Sequence, residues 1–223
     1  MGMLLACMLL FHSGLLAQDT PDVPDIIRVT VDHADNGVLI QWEPSEDSDI
    51  RTYHIWRMLP DLSFAIIDSV DALTFQYKNL NADAVDITYS VTATDSTDVR
   101  SIFEDNIHRV VDLSTAFDLC TQSNQVQWTP YVGWEGEITG YRVYGGIMGT
   151  APRELTFLQP SATSYDHQGV EPDTAYVYYI ETVNIHGVFS LSPLDTVYTT
   201  YPEAPTYLIL DHVNVLDEAT VEI

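Results

Sequence analysis

The sequence predicts an all-β protein built as two consecutive sandwiches, followed by the opening of a third. Two observations carry that expectation. Past Gln18 no stretch holds a helical period, whereas short runs of Val, Ile, Thr and Tyr alternate with polar residues, the period-2 pattern of strands with one buried and one wetted face. The same strands are also written twice: Trp42 recurs as Trp128, Tyr53-His54-Ile55 as Tyr141-Arg142-Val143, and Val91-Thr92-Ala93 as Ile180-Glu181-Thr182, at offsets of 86, 88 and 89 residues. A near-constant offset across three separate strands is the repeat of a whole domain. It is too long for a solenoid, so each copy is expected to close around its own core.

Val38, Ile40 and Trp42 share one face of a strand, as do Val126 and Trp128, while Gln41 and Gln127 point the other way. Trp42 and Trp128 are the expected centres of the two cores. Burying roughly 150–250 Å² of an indole contributes up to about 4–6 kcal/mol, comparable with the net stability of a small domain.

Residues 1–17 read as an export signal. The apolar run from Met3 to Leu16 is broken only by His12, Ser13 and Gly14, is too short to span a bilayer, and is followed by a plausible cleavage point at Ala17. No basic residue precedes it. Leu4-Leu5-Ala6-Cys7 has the look of a lipoprotein box, but there the hydrophobic stretch follows the cysteine instead of preceding it. The expected location is therefore secreted or cell-surface, with no membrane insertion after signal cleavage. Cys120 is then the one cysteine left, either a small buried hydrophobe near a strand start or a thiol whose partner lies beyond Ile223.

The chain carries 33 acidic against 8 basic residues, a formal charge of −25. Nucleic acids and anionic membranes are excluded as partners, because both are held by clustered Lys and Arg. The acidic groups read first as a solvated surface. Glu43, Glu46, Asp47 and Asp49, and Glu104 with Asp105, are the local clusters that raise calcium, yet neither has the alternating ligand spacing or turn glycine of a dedicated loop. No metal and no cofactor is expected. No catalytic residue is expected either: there is no G-x-S-x-G, H-E-x-x-H, phosphate-binding glycine loop or Cys-x-x-Cys, and His33, His54, His108, His167, His186 and His212 stand isolated in sequence. Trp56 falls out of phase with Tyr53 and Ile55, which puts it on the outer sheet face. Trp134 lies in a loop after Pro130. Both are read as packing residues, with Trp134 the one candidate for a glycan or protein contact.

The second repeat contains Val170-x-Pro172-x-Thr174-x-Tyr176-x-Tyr178-x-Ile180-x-Thr182-x-Asn184-x-x-Gly187 and then Ser190. This resembles the E–F corner, strand F and F–G loop of a fibronectin type III module, an Ig-like β-sandwich. The resemblance implies that Trp128 is the strand B tryptophan, that Ile180 belongs to the core, and that Tyr176 is a corner tyrosine whose hydroxyl bonds back to the chain a few residues upstream. The first repeat departs from the pattern, with Ile87 at the corner position. The expected units are 24–113 and 114–201, joined by a short linker around 112–116, with 205–223 the start of a truncated third unit. A narrower likeness rests on Asp118-x-Cys120, Gln125-x-Gln127-Trp128-x-Pro130-Tyr131-x-x-Trp134 and Tyr201-Pro202-x-Ala204-Pro205-x-Tyr207. It is similar to large exported multi-repeat proteins of Bacteroidota that end in a gliding-motility-associated, type IX secretion sorting domain, and implies delivery to the outer surface.

The expected function is that of non-enzymatic structural or adhesive spacer modules. Their partners are other domains of the same polypeptide, with an extracellular protein or glycan left open. Accessory modules of a secreted polysaccharide-degrading enzyme, or direct carbohydrate-binding modules, are the alternatives.

Overall fold

In each half of the chain, strands stack as two sheets around one indole, most of them alternating in burial; Thr88–Asp95, in the middle of its sheet, is buried throughout. A computed structural model describes residues 20–80, 88–103, 106–201, 214–217 and 220–222. The expected signal at 1–17, Ile87, the Glu104–Asp105 pair and most of 205–223 lie outside the described residues.

In the first unit β1 (Ile26–Asp32), β2 (Gly37–Trp42) and β5 (Gln76–Asn79) form a three-stranded sheet in the order β1-β2-β5. Strands β3 (Ile50–Met58), β4 (Phe64–Asp71), β6 (Thr88–Asp95) and β7 (His108–Arg109) form the facing sheet, in the order β4-β3-β6-β7. The second unit repeats the plan. Strands β8 (Leu113–Asp118), β9 (Ser123–Trp128) and β12 (Ser164–His167) make one sheet. The other holds β10 (Ile138–Ile147), β11 (Arg153–Leu158) and β13 (Ala175–Asn184). Strand β13 also pairs with β14 (Phe189–Leu191) and β15 (Asp195–Tyr198), which follow one another along its free side. A last pair, β16 (Asn214–Asp217) and β17 (Thr220–Glu222), is antiparallel.

Each unit has its own hydrophobic core. Trp42 is 1% exposed and meets Tyr53 edge-on at 5.7 Å; Trp128 is 5% exposed and tilts against Tyr141 at the same 5.7 Å. Ile180 is fully buried and pairs with Val143 across β13 and β10. The repeat extends to buried polar groups. Asn79 donates to the Tyr89 hydroxyl at 2.8 Å in the first unit, and Asn124 donates to the Tyr178 hydroxyl at 2.8 Å in the second, so each core tyrosine is satisfied without reaching solvent. Before β13 the Glu171 amide donates to the Tyr176 hydroxyl at 2.8 Å, which pins the corner.

The change from one core to the next takes a single peptide bond. Val110 is buried in the first core and Val111 in the second. The linker expected at 112–116 is displaced, because Leu113 onward is already committed to β8, whose pairing with β9 starts at Leu113 opposite Trp128. Cys120 also departs from the buried reading. It is exposed in the turn between β8 and β9, with its amide donating to Asp118 at 2.8 Å.

Because the two cores share no residue, Trp128→Ala is expected to destabilise the second unit by about 3–5 kcal/mol while the first keeps its fold. Methyl spectra check this: Ile40, Ile55 and Val91 should retain native dispersion at temperatures where Val126, Val143 and Ile180 have lost it. Simultaneous loss of both sets would rule out separate cores.

Candidate functional site

Strand β1 is the edge of its sheet, and an edge strand presents unpaired N–H and C=O groups. In the second unit the equivalent problem is solved internally. Thr115 on β8 donates its amide and hydroxyl to the Asp195 carboxylate, at 2.7 and 2.8 Å, from the start of β15. In the first unit β7 is only two residues long. Asn106, just before it, accepts from the Ile26 amide at 3.2 Å and donates to the Pro24 carbonyl, and from Ile27 onward the second unit supplies the partners.

The loop between β9 and β10 reaches across. The Tyr131 hydroxyl accepts from the Val29 amide at 2.9 Å, and Trp134 Nε1 donates to the Ile27 carbonyl at 3.0 Å. The two rings stack at 4.1 Å and are 3% and 4% exposed. Beside them Val132 and Arg109 exchange backbone hydrogen bonds of 3.1 and 3.2 Å, which continues the sheet of β7 into the loop. Gly133, at φ +106°, has no alternative residue: a Cβ there would lie 2.4–2.5 Å from atoms of the His108 imidazole.

The seam continues along β14, which runs beside β1 in the same direction. Ser190 Oγ donates to the Val29 carbonyl at 2.7 Å, the Leu191 amide donates to Thr30 Oγ1 at 2.8 Å, and His33 Nε2 lies 2.8 Å from the Ser192 carbonyl. Arg28 reaches the Phe189 carbonyl and lies over its ring. The His33 ring also meets Tyr179 edge-on at 4.8 Å. Every bridge on this side uses a side chain, so the sheets abut without merging.

His108 is the titratable group at the centre. It is buried, and its Nδ1 lies 2.9 Å from the Tyr131 hydroxyl. That hydroxyl accepts from Val29 and its own proton has no other acceptor among the described residues, so the proton is assigned to Nδ1, with His108 the acceptor. Burial holds the imidazole down to about 4, against a weaker opposing pull from the Glu135 carboxylate. Burial pushes Tyr131 well above the ordinary phenol range. At neutral pH both groups are uncharged.

The other residues singled out by sequence do not assemble. Trp134, the candidate ligand contact, is buried against β1 and cannot meet a ligand in this arrangement. Trp56 lies on the outer face as expected but is engaged within its own unit: Nε1 donates to Thr92 Oγ1 at 2.9 Å, Phe103 meets the ring at 5.0 Å, and Arg100 covers it at 5.4 Å. His54 bridges Ser69 and Thr94 at 2.7 and 2.9 Å, and burial lowers its pKa. Asp47 accepts from the Asp22 amide and Asp49 from Ser96. Among the described residues no group of three or more His, Cys, Asp or Glu is gathered to hold a metal ion.

Strand order, the corner tyrosine and the paired sheets define the sandwich, and comparison with known proteins names it. Residues 109–194 match the Fibronectin type III domain. The matched fibronectin type III segment begins one residue before Val110, at the point where the core changes. Among solved structures the chain is similar to the FN1-FN3 domains of chicken CNTN1, with 15% identity over 82% of this chain and 69% of that one, TM-score 0.36. It is also similar to the central fibronectin-III array of RIM-binding protein, with 16% identity over 91% and 78%, TM-score 0.34. Pectate lyase PelI from Erwinia chrysanthemi matches at 17% identity over 39% of this chain, TM-score 0.32; the chain spans 27% of that enzyme's length. No curated protein matches the chain. The fold is all-β, two consecutive sandwiches of which the second contains the fibronectin type III match.

Sequence reasoning missed the seam. Its signal was present: Tyr131-x-Gly133-Trp134 has no counterpart in the first repeat, where Ser45-x-Asp47-Ser48 stands at the same offset of 86. Tyr131→Phe keeps the packed ring but leaves the buried Val29 amide and His108 Nδ1 without their partner, an expected loss of about 1–3 kcal/mol at the seam. Amide hydrogen exchange at Val29 should accelerate accordingly while Val143 and Ile180 are unchanged. Gly133→Ala should have a larger effect at the same amide.

Proposed function

We propose that the two fibronectin type III-like units act as one rigid, non-enzymatic spacer in a secreted or cell-surface protein, holding other domains of the same polypeptide at a fixed distance and angle. The observation that carries this reading is the seam. A one-peptide transition at Val110–Val111, together with the bridges from Ile27 to His33, removes the freedom that a flexible linker would give two tethered domains. A module whose role was independent capture of ligands would gain nothing from burying its own loop aromatics against its neighbour.

The export signal expected at 1–17, the −25 charge and the likeness to exported multi-repeat proteins with a type IX sorting domain support surface delivery in a Bacteroidota-type system. Direct glycan binding through Trp134 loses its residue, since the indole is buried in the seam. Adhesive contacts would use exposed surface elsewhere on the sandwiches.

Backbone ¹⁵N relaxation on the full chain tests the proposal. Amides of the two units should report one common rotational correlation time at pH 7, and Trp134→Ala should split it into two shorter ones. Two independent correlation times in the unaltered protein would overturn the rigid spacer.

A further inference from the structure

Apart from the Arg28 guanidinium on the Phe189 carbonyl, the seam is held by neutral hydrogen bonds, and one of them has a direction that depends on a proton. The Val29 amide donates to the Tyr131 hydroxyl, the hydroxyl donates to His108 Nδ1, and the imidazole lies flat against Gly133 with no room for a methyl group. We infer that His108 is a pH-sensitive latch: the two units are locked while its imidazole accepts the Tyr131 proton, and the seam opens when the imidazole is protonated, with both sandwiches still folded. This rests on the seam being the rigid joint proposed above.

Protonation acts locally. An imidazolium has two N–H donors and no lone pair, so the Tyr131 hydroxyl loses the acceptor for its proton and faces a second donor at the oxygen that already serves Val29. The charge is also poorly compensated. On its own strand the nearest ionisable neighbour is Arg109, which adds positive charge. The β9–β10 loop contributes Tyr131, neutral at all relevant pH, and Glu135, whose carboxylate favours the charged ring but spends one oxygen on the Gly133 amide at 3.0 Å. From β1 comes Arg28, another cation. From β6 Tyr89 lies opposite His108 in register and bonds within the core.

The sign follows from linkage. In the closed seam the imidazole takes its proton at about 4, whereas released to solvent it returns to the ordinary value of 6.5. The open state therefore binds more protons throughout that interval. Closure is fully favoured above 6.5 and weakens as pH falls, by up to roughly tenfold in the open-to-closed ratio per pH unit, until about 4. From pH 7 to pH 5 the ratio should rise roughly 20-fold.

Hydrogen exchange at the Val29 amide reads this directly, because that N–H is capped only across the seam. Corrected for intrinsic exchange, its protection factor in the full chain should fall roughly 20-fold between pH 7 and pH 5, while Ile55 and Val91 inside the first sandwich stay constant. His108→Asn, which keeps an acceptor oxygen near the Nδ1 position and does not titrate, should make the Val29 response flat. If that variant does not fold, Glu135→Gln gives the answer by another route: the onset near 6.5 stays where it is, and with the one favourable carboxylate gone the loss of protection continues to lower pH before it levels off. A Val29 amide equally protected at pH 7 and pH 5, or equally pH-sensitive in His108→Asn, would overturn the latch and leave the spacer standing. A Val29 amide unprotected already at pH 7 would instead remove the rigid joint itself.

Discussion

Everything that distinguishes this pair of sandwiches from two beads on a string follows from the outward edge of β1. A strand at the margin of a sheet carries carbonyl and amide groups that must find partners or stay in water. Here the Ile27 carbonyl and both backbone groups of Val29 find them in the side chains of Trp134, Tyr131 and Ser190. Leaving a buried polar group unmade costs about 1–3 kcal/mol, so the first unit is complete only with the second in place. The second needs no such help from a successor at the equivalent amide, since Asp195 caps Thr115 from within.

That asymmetry turns a repeated sequence into a non-repeated assembly. Both units carry the same indole–tyrosine core and the same asparagine-capped tyrosine, yet only the second has aromatic residues in its β9–β10 loop. The loop end that would otherwise be free for recognition is consumed in joining the units. At the matching end of the first unit stand half-buried Ser45 and Asp47 and exposed Glu46 and Ser48, polar and acidic, with no ring to insert into a neighbour. The joint therefore has a polarity: the second unit docks on the first through residues that the first unit does not carry.

The fold was legible because it depends on local periodicity and large apolar residues. Alternation marks strands, a recurring Trp marks the core, and Tyr176 announces the corner through its spacing from Pro172. The seam was not legible, because it depends on single polar atoms brought together from 102, 107 and 161 residues apart, and no period records such pairs. Trp134 shows the difficulty. In one unit considered alone a loop tryptophan has nothing to pack on, so exposure and ligand contact are natural readings; only the open edge of the preceding unit gives it a place. The linker was misplaced for a related reason. Short segments between strands look alike in sequence, and only the assignment of Val110 and Val111 to different cores locates the joint.

The acidity of the chain constrains what such a joint can be made of. With 33 carboxylates against 8 basic groups, two closely packed units repel each other, and a carboxylate buried at the contact would lack a cation to offset its desolvation. The bridges along β1 accordingly come from hydroxyls, an indole, backbone groups and imidazoles, with Arg28 the cation among them. The two histidines hold opposite hydrogen-bond roles. His33 faces the Ser192 carbonyl, an acceptor, so its Nε2 donates. His108 faces a hydroxyl whose proton has no other acceptor among the described residues, so its Nδ1 is assigned as the acceptor, a role open to the neutral ring. With most of the seam's donors and acceptors neutral, the proposed sensitivity to pH is concentrated in one imidazole and the Glu135 carboxylate that acts on it, at the point where the loop of one unit closes over the edge strand of the other.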